Sequence, residues 1–253
     1  MKNVLSFSLW SDNPKYTVGA IRNAELAQTL YEGWVCRFYV GTSTPEHIVR
    51  TLAAFPNVEM VRMQEPGDWR SLFWRFQPCS DPDVQVMVSR DTDSRLSRRE
   101  KEAVNEWLES RHGVHIMRDH PWHGAPILGG MWGYKQGVLP DMSELIEAYS
   151  TDGVSMKDLY QVDQFFLRDV IYRRVRRNAA VHDEFFDRCP FPTKRRGLEF
   201  VGEVFDQDEN GVQEHRRVLQ EFLRVPTKME PFLPHRKSWT HRFITRMSRR
   251  ERT

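Results

Sequence analysis

Cysteine is scarce in this sequence, and its spacing excludes two classes of protein. Cys36, Cys79 and Cys189 are the only cysteines in 253 residues, and no two of them form a CxxC pair. A disulfide framework needs an even set of cysteines, and a zinc knuckle needs closely spaced ones. Neither is predicted, and this cysteine usage fits a reducing compartment.

Long apolar runs, a strong net charge and a dinucleotide motif are also missing. No run approaches the roughly 20 apolar residues of a membrane span, and "MKNVLSFSLWSDNPKY" has too short an apolar part for a secretory signal. The formal net charge of +2 is too small to predict a surface made for nucleic acid. Without a GxGxxG motif, an oxidoreductase of the dinucleotide-binding fold is disfavoured. We expect a cytoplasmic protein.

What the sequence does contain is an alternation of apolar runs and amphipathic segments. Apolar runs predict strands at 3–10, 34–40, 57–63 and 84–89, and amphipathic stretches predict helices at 19–33 and 44–55. Strands that alternate with helices predict an α/β fold with a mostly parallel sheet covered on both faces. A hydrophobic content of 40% suffices for one large core.

The second half of the chain is less regular. A capping box of Ser97 and Glu100 predicts the start of a helix, and short strands are predicted at 114–117, 179–182 and 198–205. Residues 118–137, rich in glycine, proline and histidine, predict a long loop of the kind that is usually functional. Further helices are predicted at 141–149, 158–175 and 212–223. We therefore expect a main domain over 1–206 and a helical, basic C-terminal extension over 207–253.

Two acids follow the most apolar of the predicted strands. In "VQVMVSRDTDSRL", Asp91 and Asp93 come directly after a run typical of a central parallel strand. Ligands bind at that edge of open α/β sheets. Two carboxylates make an oxygen-rich cradle for Mg²⁺ or Mn²⁺, and the neighbouring Arg90 and Arg95 suit a bound diphosphate. On its own, a DxD pair is also compatible with a solvated turn.

Further motifs accompany the acid pair in a fixed order. "FWRF" precedes "SRDTDSRL", and "HPWHGAPILGGMWGYK", "DQFFL", "VHDEF" and "FVGEVFD" follow it. This order resembles GT-A-type glycosyltransferases, metal-dependent enzymes that move a sugar from a nucleotide diphosphate donor to an acceptor. The resemblance spans roughly Asn3 to Asp206, and "RDTDSR" and "GGMWG" are similar to segments of viral and bacterial polysaccharide transferases. It implies a GT-A-like, Rossmann-type sheet flanked by helices, and a nucleotide-sugar donor.

The resemblance also implies a set of metal ligands for Mn²⁺ or Mg²⁺. Asp91 is the acid expected to touch the donor ribose or the metal, Asp93 the direct metal ligand, and His182 the late histidine that completes the metal shell. A hydrogen-bonded histidine at a strand end is the alternative for His182. His120 and His123 compete for the same role, and His123 is otherwise expected near the acceptor.

Other residues are expected to bind the donor. Arg75 and Arg90 are candidates to clamp the diphosphate, although Arg75 could also be an exposed residue of an apolar helix. Gly129 and Gly130 would let the backbone approach the donor sugar, where a Cβ would block it. Gln164 is a candidate for hydrogen bonds to donor hydroxyls.

The catalytic and acceptor roles fall on two further residues. Asp163 resembles the acid that deprotonates the acceptor hydroxyl in inverting members of the family. In retaining members, Asp163 and Gln164 would only hydrogen-bond donor hydroxyls. Trp132 is expected to stack on an acceptor sugar, and a core tryptophan is the alternative.

The loop after the first strand is the expected nucleobase site. Trp10 or Tyr16 could stack on the base, and Asp12 or Arg22 could reach the ribose or the phosphates. The sequence does not favour one base over another.

The end of the chain is basic and amphipathic. From Arg236 to Arg252 there are seven basic residues and one acid, with Trp239 and Phe243 among the interleaved apolar residues. Such a segment can lie on an anionic membrane surface, bind nucleic acid or remain solvated. Peripheral membrane contact would suit a lipid-linked acceptor, and a glycan is the other expected acceptor.

Two other functions compete with glycosyl transfer. A nucleic-acid-binding module could use "RRVRRN", "TKRR" and the basic tail, but it would leave the acid pair unexplained. An aspartate-based phosphotransferase usually carries its acids on the first strand, followed two residues later by Thr or Val, whereas here Arg95 follows Asp93. The preferred prediction is a metal-dependent glycosyltransferase of the hexosyltransferase kind.

Overall fold

A mostly parallel sheet of seven strands forms the centre of the chain. The computed structural model describes residues 1–151, 154–155 and 157–224. The strands are β1 (Lys2–Leu9), β2 (Val35–Val40), β3 (Val58–Arg62), β4 (Val84–Arg90), β5 (Val114–Arg118), β6 (Met131–Lys135) and β7 (Ala179–Asp183). Their order is β3-β2-β1-β4-β6-β5-β7, and β6 is antiparallel to both β4 and β5. The predicted α/β class is confirmed.

Helices cover both faces of this sheet. The α-helices are α1 (Pro14–Leu30), α2 (Glu46–Ala53), α3 (Arg98–Glu109), α4 (Met142–Glu147), α5 (Val162–Phe166), α6 (Tyr172–Val175) and α7 (Gln213–Arg224). A π-helical turn (Leu167–Ile171) joins α5 to α6, and 3₁₀ helices span Trp69–Ser80, Leu159–Gln161 and Arg176–Asn178.

The two faces of β1 show how the core is divided. Leu5, Phe7 and Leu9 alternate along the strand and pack with α1, α2 and α3, and Phe7 stacks on Phe38 at 4.7 Å between ring centroids. Val4 belongs to the other core, which lies under the 3₁₀ helix Trp69–Ser80 and α5. The alternation is the period of a strand with both faces buried.

The strand β6 was missed in the sequence because of its glycine. Residues 118–137 were predicted to be a loop, yet 131–135 pair with β4 and β5 in the middle of the sheet. A Cβ on Gly133 would lie 2.8 Å from Cζ3 of Trp107. Gly133 therefore lets the Trp107 indole pack directly on the strand, a common reason for glycine inside a sheet.

The segment 198–205 is not the strand that its apolar residues predict. It forms only isolated bridges, Ser94 to Val204 and Phe205 to Gly211. Its backbone is fastened by side chains and loops instead: Val201 N donates to Asp119 Oδ2 at 2.9 Å, and Phe205 N donates to Asp93 O at 2.8 Å. This segment therefore holds the loop of the two acids in place.

The first part of the predicted C-terminal extension contacts the sheet domain. Glu209 ion-pairs with Arg95 at 2.6 Å, and His120 Nε2 lies 2.9 Å from His215 O at the start of α7. The boundary after Asp206 stays a prediction, and the basic tail from Arg236 lies outside the described residues. In the part of the chain that is described, no helix is both long and apolar enough to cross a bilayer.

A buried ion pair between β4 and α3 predicts a large loss of stability on mutation. Arg90 Nη2 lies 3.2 Å from Glu100 Oε2, and the two side chains are 1% and 0% exposed. Glu100→Ala leaves the Arg90 charge buried without its partner, which should lower the free energy of unfolding by about 3–5 kcal/mol. Urea denaturation measures this.

Glu102→Ala on the same helix is the control, because Glu102 forms an exposed pair with Arg98 at 3.6 Å. It should cost less than about 1 kcal/mol. Equal losses for the two variants would contradict the role given to the buried pair.

Candidate functional site

The site lies at the carboxyl ends of the adjacent parallel strands β1 and β4. Asp91 is the residue after β4, and α1 begins at Pro14 after the short loop that follows β1. Asn13 caps this helix by accepting a hydrogen bond from Lys15 N at 3.0 Å, and the first turn contains no acid. An uncompensated helix N-terminus carries positive potential. The strand order thus brings this turn beside the two acids.

Arg75 joins two carboxylates that lie far apart in the sequence. Its Nη1 pairs with Asp91 Oδ1, and its Nη2 pairs with Asp163 Oδ2 at 2.6 Å. The Arg75 side chain is 5% exposed, and its backbone N donates to Ser8 Oγ at 3.1 Å. Arg75 is therefore not an exposed residue of an apolar helix. Its role as a diphosphate clamp stays a prediction.

Asp163 is buried at the start of α5. Its side chain is 3% exposed, and its Oδ1 accepts from Gln164 N at 2.9 Å. Burial raises the pKa of Asp163, Arg75 opposes this shift, and the negative charge of Asp91 adds to it. A raised pKa suits a general base. Before Oδ2 can take a proton from an acceptor, however, its contact with Arg75 must loosen.

Gly129 and Gly130 lie directly against the acids. A Cβ on Gly129 would overlap Asp163 Oδ2, and a Cβ on Gly130 would overlap the Asp91 carboxylate. Glycine is required here because any side chain would push the loop away from both carboxylates. The structure shows that the backbone approaches Asp91 and Asp163 here, and the predicted approach to the donor sugar stays a prediction.

Arg90 and Gln164 support this glycine loop. Arg90 Nη1 donates to Gly130 O at 2.6 Å while Nη2 pairs with Glu100. Because Arg90 is 1% exposed, the prediction that it clamps a diphosphate is wrong. The side-chain amide of Gln164 accepts a hydrogen bond from Gly129 N at 2.8 Å and donates one to Ile127 O at 3.2 Å. Its expected contact with donor hydroxyls stays a prediction.

Asp93 is paired with a lysine that the sequence did not single out. Lys15 Nζ lies 2.7 Å from Asp93 Oδ2, with the two side chains 32% and 16% exposed. Burial raises the pKa of Asp93, the charge of Asp91 raises it further, and Lys15 opposes both. Lys15 would have been found if the strand order had been known, because it opens the helix after the neighbouring strand.

Two tyrosines flank this pair of charges. Tyr16 is 36% exposed, and Lys15 Nζ lies 5.2 Å from its ring centroid. Burial raises the pKa of Tyr16, and the charges of Asp93 and Asp91 contribute to the shift, which places Tyr16 beside the acids. Tyr160, 65% exposed, also lies within electrostatic reach of Tyr16. Tyr16 therefore lies beside the acids, and its predicted stacking on the nucleobase stays a prediction.

The acid pair has a donor set that suits a hard divalent cation. The ion pairs use Oδ1 of Asp91 and Oδ2 of Asp93, which leaves the second oxygen of each carboxylate outside those pairs. Within the described residues, no three acid, histidine or cysteine side chains form a ready metal cluster. Mg²⁺ commonly takes one or two carboxylates, with water and substrate phosphates as its other ligands. The two aspartates fit that mode of binding.

His182 is not part of this donor set. Its Nδ1 lies 2.7 Å from His115 Nε2, and its Nε2 lies 3.4 Å from Glu106 Oε1. It belongs to β7 at the edge of the sheet, four strands from β1. The prediction that it completes the metal shell is therefore wrong, and the alternative of a hydrogen-bonded histidine is confirmed.

A different histidine, His215, packs near the margin of the site, with its ring centroid 5.3 Å from that of Trp122 and 5.8 Å from that of His120. Burial lowers the pKa of His215, the charge of Lys15 lowers it further, and the charges of Glu214 and Asp93 oppose the shift. His215 lies at the start of α7, 33 residues after His182 in the sequence. No spacing signal pointed to it, because the loop before α7 returns to the site only in three dimensions.

Trp132 and Arg22 have partners other than those expected. Trp132 is 0% exposed, and its ring centroid lies 5.5 Å from that of Phe76 in the core. The prediction that it stacks on an acceptor sugar is wrong, because the side chain is enclosed within the sheet. The Arg22 guanidinium pairs with Glu25 and Glu209. The Arg22 side chain is 45% exposed, and its contact with the donor stays a prediction.

Trp10 and His123 remain candidates at the margins of the site. Trp10 is half-buried, with its ring edge-on to Trp74 at 6.2 Å between centroids. His123 is half-buried, and its Nδ1 accepts from Asp119 N at 3.1 Å. Base stacking by Trp10 and acceptor contact by His123 stay predictions.

Comparisons with known proteins find likeness in fold only. No family model and no curated protein matches the sequence. Among solved structures, a glycosyltransferase involved in glycosylation of the major capsid of PBCV-1 is 13% identical with a TM-score of 0.48, over 74% of this chain and 84% of that one. TarS of S. aureus is 12% identical with a TM-score of 0.48, over 73% of this chain and 58% of that one.

A third similar structure comes from an archaeon. The mannosyltransferase PcManGT from Pyrobaculum calidifontis, solved in complex with GDP-Man and Mn²⁺, is 15% identical with a TM-score of 0.46, over 78% of this chain and 58% of that one. The chain thus spans little more than half of this enzyme and of TarS. All three TM-scores are below 0.5, so these likenesses do not assign a function to this chain.

Because Arg75 bridges two carboxylates, we expect its loss to lower stability strongly, and a second mutation at Asp163 to restore part of that stability. Arg75→Met leaves Asp163 charged and buried without its partner, so the free energy of unfolding should fall by about 3–5 kcal/mol. Adding Asp163→Asn removes the stranded charge, and the double variant should recover part of that loss. Urea denaturation of the variants measures both effects.

Arg70→Met is the matched control, because Arg70 lies on the same 3₁₀ helix with its side chain 69% exposed. It should change the free energy of unfolding by less than about 1 kcal/mol. Strictly additive losses in the double variant would show that Arg75 and Asp163 do not act as a pair.

Proposed function

We propose that this chain is a metal-dependent glycosyltransferase that moves a sugar from a nucleotide diphosphate donor to a glycan or lipid-linked acceptor. One observation carries the proposal. Asp91 and Asp93 lie together at the carboxyl edge of adjacent parallel strands, each with one oxygen outside the ion pairs with Arg75 and Lys15. An edge of this kind is where open α/β sheets bind ligands.

The donor is proposed to bind across the start of α1. The N–H groups of a helix N-terminus attract phosphate, and the first turn of α1 contains Lys15 and no acid to oppose it. Tyr16 and Trp10 supply aromatic faces for the nucleobase beside this turn. The diphosphate would then lie between α1 and the acid pair.

A divalent ion, Mn²⁺ or Mg²⁺, is proposed to be held by Asp91 and Asp93. When bound, it would act as a Lewis acid that neutralises the charge on the departing nucleoside diphosphate. Water and the donor phosphates are proposed as the other ligands, because no third acid, histidine or cysteine side chain of the described residues joins the two aspartates in a metal cluster.

The acceptor is proposed to bind on the side of Asp163. In an inverting reaction, Asp163 Oδ2 takes the proton of the acceptor hydroxyl, and Arg75 stabilises the carboxylate until the acceptor arrives. In a retaining reaction, Asp163 and Gln164 hold donor hydroxyls instead. Burial and the nearby Asp91 raise the pKa of Asp163, which favours its use as a base.

The chain is proposed to combine a catalytic domain with a basic extension. Residues 1–206 would form the catalytic domain and 207–253 an extension whose basic end contacts a membrane when the acceptor is lipid-linked. A cytoplasmic location accommodates both acceptors. A nucleic-acid-binding module would leave the paired acids at the sheet edge without a role, so it is the less favoured function.

Metal-dependent nucleotide binding is the direct test of this function. A nucleoside diphosphate at a hundredfold excess over its Kd should stabilise the chain by about 2.7 kcal/mol, which for a protein of this size raises Tm by roughly 5–10 °C. We expect this shift with UDP or GDP only when Mn²⁺ or Mg²⁺ is present. Differential scanning fluorimetry with and without EDTA measures it.

Asp93→Asn should abolish the metal-dependent shift while the variant stays folded. Asp83→Asn is the control and should keep the full shift, because Asp83 is exposed and precedes β4, at the end of the strand opposite to the acid pair. A shift of the same size in EDTA, or stabilisation by an oligonucleotide alone, would reject the proposed function.

A further inference from the structure

The two acids of the candidate site are balanced by two cations of unequal mobility. Arg75 is 5% exposed and pairs with both Asp91 and Asp163. Lys15 is 32% exposed, and its ammonium pairs with Asp93. A buried guanidinium with two partners is fixed, whereas a part-exposed ammonium can leave its partner at little cost.

The backbone that carries Lys15 is well anchored, so only the side chain needs to move. Asn13 caps α1, Pro14 occupies its first turn, and Gly19 packs against the Thr92 carbonyl so closely that a Cβ would overlap it. The ammonium itself is a compact charge on a flexible four-carbon stem. It can change partner while α1 stays in place beside the acid loop.

Lys15 and a divalent ion would compete for the Asp93 carboxylate, even where each contacts a different oxygen. The ammonium lies 2.7 Å from Oδ2, and the Asp93 side chain is 16% exposed, so two cations on this carboxylate would repel each other across a short distance with little solvent between them. Binding of the metal therefore favours departure of the lysine. The carboxylate pair therefore has an internal competitor for any metal that enters.

We propose that Lys15 is the cation paired with Asp93 before a metal ion binds, that a divalent ion displaces it, and that the displaced ammonium binds the diphosphate of the incoming nucleotide. This inference rests on the proposed function and names a residue that couples its two ligands. No covalent step is involved. The affinities for the metal and the nucleotide would then be coupled. The metal frees Lys15 for the diphosphate, and the diphosphate holds Lys15 away from Asp93.

The surroundings of Lys15 favour a diphosphate as its second partner. The ammonium extends from the first turn of α1, whose N–H groups and lack of acids attract phosphate. Arg90 and Arg95, at the same edge, are each less than a tenth exposed and are engaged with Glu100 and Glu209. Lys15 is thus better placed than these two arginines to meet an incoming anion.

Loss of the Lys15 ammonium should change the affinities for Mn²⁺ and for the nucleoside diphosphate in opposite directions. Lys15→Met removes the competitor of the metal, so Mn²⁺ alone should bind about two- to fivefold more tightly, the scale of a part-exposed ion pair. The same variant lacks the partner of the diphosphate, so UDP or GDP in saturating Mn²⁺ should bind roughly tenfold more weakly, as expected for a lost charged hydrogen bond. A purely structural lysine would weaken both.

Isothermal titration calorimetry on the full chain tests this with three titrations. These are MnCl₂ alone, MnCl₂ in the presence of UDP or GDP, and UDP or GDP at saturating MnCl₂. Lys2→Met is the matched control, because Lys2 forms an ion pair with Glu59 at 2.9 Å at the opposite end of β1. It should leave all three affinities unchanged.

The outcomes separate this inference from the proposed function. Tighter Mn²⁺ and weaker nucleotide binding in Lys15→Met support it. Unchanged or weaker Mn²⁺ binding, or unchanged nucleotide binding, overturns the role of Lys15 while the wild-type titrations still support the proposed function. If the wild-type chain binds nucleotide equally well without Mn²⁺, the proposed function fails and this inference fails with it.

Discussion

The guanidinium of Arg75 is the interaction on which the arrangement of the site depends. It joins Asp91, at the end of β4, to Asp163, at the start of α5. Four chain segments meet there: the 3₁₀ helix, the loop of the acids, the glycine loop and α5. Without the positive charge, the buried Asp163 carboxylate would face that of Asp91 with the hydrogen bond from Gln164 N as partial compensation, and the free energy of the folded state would rise.

The glycine loop follows from this charge arrangement. Gly129 and Gly130 lie so close to the two carboxylates that only hydrogen fits on their Cα atoms. Their carbonyls are held by buried groups on β4, Gly129 O by Ser89 Oγ and Gly130 O by Arg90 Nη1, both at 2.6 Å. The acids are therefore fixed from several sides, while Lys15, on the solvent side, keeps the freedom to move.

Much of the fold was predictable because the signals are local. Alternating apolar runs gave the first four strands, and the run before Asp91 correctly indicated a central strand with the acids at its carboxyl end. The antiparallel β6 was not predictable, because Gly133 there serves the packing of Trp107 rather than a turn. Sequence patterns cannot show what a glycine makes room for.

The position after a strand pointed to Asp91 and Asp93, whereas Arg75, Asp163 and the two glycines were named only through the family resemblance. Lys15 was missed because its pairing with Asp93 requires β1 and β4 to be neighbours, and strand order is not encoded in local spacing. His182 was chosen for its late position in the sequence, yet β7 places it at the far edge beside His115. The glycines around Trp132 suggested a loop, but Trp132 lies in β6, between β4 and β5, where its side chain is buried.

The role of the acid pair is tested most directly by locating the metal in a crystal of the chain grown with Mn²⁺ and a nucleoside diphosphate. Anomalous scattering at the manganese edge identifies the ion without reference to any expected ligand. The account predicts one strong peak in direct contact with the Asp93 carboxylate and the diphosphate oxygens. A bound nucleotide with no manganese at Asp93, or with manganese held elsewhere, would contradict it.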